Sequence, residues 1–120
     1  MTAAEFRRAA LALAGTTEGA HMGHPDFRVA GKIFATLGYP TKGAATVMLS
    51  PIDQDLLVRD HPASFAPANG AWGKSGSTTV QLRTAPRRAV LVALESAWKR
   101  RAGVTAPGAA SRKKRPADGA

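Results

Sequence analysis

The sequence predicts an α+β fold: an antiparallel β-sheet with the N- and C-terminal helices packed on one face. Three features lead to this. Apolar residues recur every three to four positions near both ends of the chain, residues between them alternate apolar and polar, and glycine-bearing turns separate the alternating runs. Alternation with period two suits strands with one buried and one wet face, as in antiparallel sheets covered on one side.

The first helix is expected over residues 3–14. Thr2 and Glu5 have capping-box spacing, and Phe6, Ala9, Ala10 and Leu13 form the apolar stripe that ends near Gly15. Strands follow at 26–30 and 33–37, joined by the Ala30-Gly31-Lys32 turn, and at 45–49. Residues 17–22 give a weaker strand signal. Ser50-Pro51-Ile52-Asp53 opens a helix running to about Arg59, since Ser50 can cap it, Pro51 suits its first turn and Asp53 complements its positive end. Residues 65–77 predict a flexible loop around Trp72, and Thr78 to Arg83 a last strand. The final helix, at about 86–101, carries Val90, Leu91, Leu94, Ala97 and Trp98 as one stripe and ends at Gly103. Trp98 is expected in the core, against Phe6 or Leu13.

The chain has 120 residues, enough for one domain with a modest two-layer core. Residues 1–103 are assigned to that domain. Residues 104–120 hold Ala, Gly, Pro, Ser and basic side chains with Val104 as the one large apolar group, and are expected to form a disordered basic tail. No apolar run is long enough to span a bilayer, and no secretory leader pattern opens the chain. The expected location is the cytoplasm, with no membrane partner. There is no cysteine, which excludes disulfides, thiolate metal sites and cysteine nucleophiles. The net charge is +9, with Arg100, Arg101, Arg112, Lys113, Lys114 and Arg115 set against Asp118 alone at the C-terminal end.

Three stretches resemble a known family: "MGHPDFRVAGKIFATLG", "HPASFAPANGAWGKSGSTTVQL" and "LVALESAWKRRA" together are similar to the MmcQ/YjbR family, in order, over roughly residues 3–102. The resemblance implies a two-layer fold similar to CyaY, the bacterial frataxin, and DNA binding through the sheet and its loops. The acidic ridge on which iron binding relies in frataxins is missing, because the first helix has Glu5 but also Arg7 and Arg8. Fold alone therefore does not carry that function here.

Candidate chemistry is sparse. His21, His24 and Asp26 could ligate a metal if they converged, but Gly23 and Pro25 interrupt the segment and no fourth ligand is evident. We expect no metal, no cofactor and no catalytic residue. "GAWGKSG" contains Gly-Lys-Ser but lacks the first P-loop glycine and precedes a strand instead of a helix.

The open sheet face is the stronger candidate. Alternation turns Phe27, Val29, Val80 and Leu82 toward the helices, leaving Arg28, Gln81 and Arg83 outward. Phe34 and Thr36 are placed outward too, since the other phase would expose Ile33, Ala35 and Leu37. With Lys32 and Lys74 on bordering turns and Trp72 on a loop, these residues supply cations for phosphates and aromatics for bases. The basic run Arg112, Lys113, Lys114 and Arg115 would add a nonspecific arm. The expected function is therefore largely nonspecific DNA binding by a monomer that is not an enzyme. The alternative is a non-catalytic adaptor whose partner is an acidic protein or a small anionic molecule. A plain solvated basic face stands beside both. The discriminating feature is whether Arg28, Lys32, Lys74 and Arg83 form one patch or pair with Asp53, Asp55 and Asp60.

Overall fold

A computed structural model describes residues 1–103. The expected tail, with Arg112, Lys113, Lys114 and Arg115, lies outside the described residues. The elements in chain order are α1 (Ala3–Leu11), β1 (Thr17–His21), β2 (His24–Val29), β3 (Lys32–Leu37), β4 (Ala44–Met48), α2 (Pro51–Asp60), β5 (Phe65–Pro67), α3 (Gly70–Lys74), β6 (Ser77–Gln81) and α4 (Arg87–Ala102). The six strands form one antiparallel sheet in the order β1-β2-β3-β4-β6-β5. This is the predicted α+β architecture, with the N- and C-terminal helices on one sheet face: Phe6 of α1 and Val90, Leu94 and Ala97 of α4 share a single core with Phe27, Ala35, Val47 and Val80.

The capping signals act as the sequence implies. Thr2 and Glu5 form a reciprocal capping box at α1. The Ser50 hydroxyl accepts from the Asp53 backbone at α2, and Gly103 closes α4 in the left-handed conformation. Arg7–Glu18 and Arg87–Glu5 ion pairs tie α1 to β1 and α4. Both hairpin turns around β2 place two residues at positive φ, Met22-Gly23 and Ala30-Gly31. That is the requirement of a two-residue type I′ turn, and glycine meets it at the second position without steric cost. The weak strand signal at 17–22 is thus β1, and "HMGH" is itself a hairpin.

Four expectations change. Phe34 is fully buried, not on the open face. Phe27 pairs with Ala35 but Arg28 pairs with Ile33, so Phe34 is an extra residue, a β-bulge in β3. The bulge turns Phe34 and Ala35 both toward the helices and sends Ile33 outward with Thr36. The 65–77 segment is not a loose loop: it holds β5 and α3 and is pinned by Gln54 of α2. The Gln54 amide donates to Gly73 O at 2.9 Å and Ser77 O at 3.0 Å and lies 3.1 Å from Thr78 Oγ1. Trp98 is half-buried at the edge of the core, where its indole N–H donates to Ala14 O at 2.8 Å. Leu91 is 39% exposed. The buried face of α4 instead uses Ala89, Val90, Ala93, Leu94 and Ala97, because small side chains let the helix lie close to the sheet.

Candidate functional site: a basic groove at one end of the open face

The open face of β1 and β2 is organised by one carboxylate. Asp26 is fully buried, yet its oxygens meet Arg28 Nε at 2.7 Å, Arg28 Nη2 at 3.1 Å and His21 Nδ1 at 2.8 Å. The register makes this possible, since Gly19 lies opposite Asp26 across β1 and β2. A Cβ at Gly19 would come within 3.0 Å of Asp26 Oδ1, so the glycine leaves room for the carboxylate. The Arg28 bond, reinforced by His21, holds the Asp26 carboxyl below its ordinary range against the opposing effect of burial. Asp26 in turn raises the pKa of Arg28. His21 and Arg28 remain about half exposed at their outer ends.

His24 does not join this cluster; its ring stands edge-on to Tyr39, with centroids 5.5 Å apart. Among the described residues, no group of three or more His, Asp or Glu side chains is arranged to hold a metal. His21 has one side-chain bond, to Asp26, and no nucleophile is bonded to its ring.

Beside this cluster lies a groove of about 700 Å³. The pairing of β3 with β4 starts at Ala35–Val47, so Ile33 and Met48 beyond it are not paired across these two strands, although each keeps its partner on the other side, Arg28 and Ser77. Ile33, Met48 and Leu49 are its apolar lining residues, and Arg28, Lys32, Arg100 and Arg101 its cations. His21, Thr36, Ser75, Ser77 and Trp72 also line it. Among the described residues, no acidic one lines it. Lys32, Arg100 and Arg101 take part in none of the ion pairs among the described residues. The Thr36 hydroxyl and Arg101 Nε are buried with no hydrogen-bond partner among the described residues.

Trp72 is 76% exposed, but its backbone is fixed. Gly73 packs so closely that a Cβ there would sit 1.8 Å from Ala68 O, and the Gln54 amide holds Gly73 O from the other side.

The groove gathers some of the sequence-predicted residues and not others. Arg28, Lys32 and Trp72 line it. Lys74 is exposed on α3 but does not line it. Gln81 and Arg83 are exposed at the far end of β6 from Ser77. Phe34 is in the core. None of Arg28, Lys32, Lys74 and Arg83 pairs with Asp53, Asp55 or Asp60, but they do not form one patch either; Asp55 pairs with Arg59. Sequence reasoning missed Arg100 and Arg101 as site residues by grouping them with the tail. The usable signal was helical spacing: Arg101 continues the stripe of Leu94 and Ala97 and is therefore drawn inward.

A family model, YjbR, matches residues 11–100. The chain belongs to the YjbR family. This agrees with the resemblance carried by the three sequence stretches. The crystal structure of Deinococcus radiodurans protein DR2400, whose domain is DUF419, is similar in fold to this YjbR chain. The TM-score is 0.68 at 16% identity, over 92% of this chain and 96% of that one. At that identity the likeness speaks for the fold alone. No curated protein matches this YjbR sequence. Among its described residues, no helix is long and apolar enough to cross a membrane.

Proposed function

We propose that this protein binds nucleic acid, DNA in the first instance, weakly and with little sequence preference, and that it binds without catalysing a reaction. The observation that carries this reading is the groove lined by Arg28, Lys32, Arg100 and Arg101, beside an exposed tryptophan; Arg28 is paired with Asp26, but the other three cations make no ion pair among the described residues. Cations free of carboxylate partners release counterions when they meet phosphates, and this supplies most of a nonspecific affinity. Base readout has no comparable support. α4 buries Val90, Ala93, Leu94 and Ala97 against the sheet, so it is not free to enter a major groove. The basic run Arg112, Lys113, Lys114 and Arg115 adds charge close in sequence to Arg100 and Arg101.

A second reading rests on the groove's size. About 700 Å³ also suits a small anionic molecule. A salt titration of the full chain with a labelled oligonucleotide separates the two. Nucleic-acid binding through several cations gives a log-log slope of roughly 0.7–0.9 per phosphate contact. Neutralising the Arg112–Arg115 run to alanine in the full chain lowers that slope if the run takes part. No binding at low salt would leave the small-anion reading in its place.

A further inference from the structure

We propose that the groove is a single-strand site, in which an unpaired base stacks on Trp72 while its flanking phosphates are held by Lys32, Arg28, Arg100 and Arg101. This rests on the nucleic-acid reading above and names its substrate class: single-stranded nucleic acid instead of duplex.

Four observations lead there. Trp72 is 76% exposed on a helix fixed by Gly73 and Gln54, so a large apolar ring is held in water where burial would ordinarily be favoured. In a duplex both faces of each internal base are covered by neighbours; a single strand offers a free face to an aromatic ring. The groove is lined by apolar Ile33 and Met48 together with the cations Arg28, Lys32, Arg100 and Arg101. That combination matches a strand whose bases turn in and whose phosphates turn out, and it gives no advantage to a duplex that presents phosphates alone. Finally, two lining residues carry polar atoms without partners. Thr36 is 5% exposed and, among the described residues, its hydroxyl has no hydrogen-bond partner; nor does the buried Nε of Arg101. A strand in the groove supplies acceptors for the Arg101 guanidinium, and for the threonine after rotation about its Cα–Cβ bond. The loss of a bond is no obstacle to that rotation, because the hydroxyl makes none among the described residues. The site also draws its cations from three separate elements, β2, β3 and α4.

The test follows tryptophan fluorescence of the full chain during titration with a short oligo(dT) or oligo(rU), with the matching duplex and with dTMP, all at the same salt concentration. The expected result is quenching and saturation with the single strands at concentrations at least about tenfold below those needed for duplex or mononucleotide. Trp72→Phe should abolish most of the quenching while keeping much of the affinity by anisotropy, because phenylalanine also stacks. Trp72→Ala should weaken single-strand binding about tenfold, within the range found for removing one stacked base. Lys32→Ala with Arg100→Ala should lower the single-strand salt slope by roughly 1.4. Duplex binding as tight as single-strand binding, or unchanged affinity in Trp72→Ala, overturns the single-strand site and leaves nucleic-acid binding standing. Equal affinity for dTMP overturns it in favour of the small anion. No binding by any nucleic acid at low salt overturns both readings.

Discussion

The two ends of the open sheet face carry similar side chains to different effect. At one end, Lys32, Arg28, Arg100 and Arg101 line a groove together with Trp72. At the other, Gln81 and Ala44 form the last pair of an unbroken β4–β6 ladder, and the exposed Arg83 follows in the turn after β6. The sequence makes Arg28 and Arg83 look equivalent, as basic residues of alternating strands. They differ because the bulge at Phe34 shifts β3, the ordered β3–β4 pairing stops at Ala35 and Val47, and α4 brings two arginines to that end. Charge becomes a site where backbone irregularity makes a concavity and distant elements converge on it. A regular ladder spreads the same charge over a flat surface.

This contrast can be broken most sharply at the bulge. Phe34→Ala should cost about 3–5 kcal/mol in a urea titration, because it leaves a large cavity beneath the groove end. A cost below about 1 kcal/mol would return Phe34 to the open face and remove the structural difference between the two ends.

The next largest effect is expected at Gln54. Gln54→Ala strips donors from the carbonyls of Gly73 and Ser77, and a loss of about 1–3 kcal/mol follows from leaving buried acceptors unpaired. Amide hydrogen exchange over residues 70–78 should accelerate, while exchange over the β1–β2 hairpin should not. Equal acceleration in both would show that Gln54 does not specifically hold the Trp72 segment.

Acid sensitivity should concentrate at Asp26. Its folded pKa lies below the ordinary 3.8, so its contribution to stability is complete above about pH 5 and is lost as pH falls through the folded value. Glu5, also lowered by its bonds at the α1 cap, titrates in the same direction. Asp26→Asn therefore isolates one share. Its stability should fall less steeply between about pH 5 and 2 than that of the wild type, when chemical denaturation is followed by circular dichroism. Identical pH slopes would mean that the Asp26 cluster does not organise this part of the face.

The smallest effect sharpens the comparison directly. Arg83→Ala should change stability by less than about 0.5 kcal/mol and leave the salt slope of oligonucleotide binding unaltered. Lys32→Ala should be equally neutral for stability but lower the slope by roughly 0.7–0.9. An Arg83 effect as large as that of Lys32 would make the whole face, and not its groove end, the contact surface.

Local rules were enough for much of this molecule. The capping box of Thr2 and Glu5, the Ser50-Pro51 helix start, the alternation of Phe27 and Val29 and the period of α4 each depend on residues a few positions apart, so the α+β class, most element positions and much of the core could be read from the chain. The family resemblance was legible for the same reason, in short stretches kept in order. The tertiary structure alone decided what a regular period cannot encode. A bulge adds one residue and reverses the phase of everything before it, which buried Phe34 and turned a half-buried Ile33 toward the open face. Gln54 turned the glycine-rich segment around Trp72 into fixed structure through bonds to residues 19 to 24 positions away. The groove joins β2 and β3 to the last turn of α4, about 70 residues later in the chain. Convergence at that separation is set by how the layers pack, because helix and strand periods specify which face a residue occupies but not which distant residue shares it.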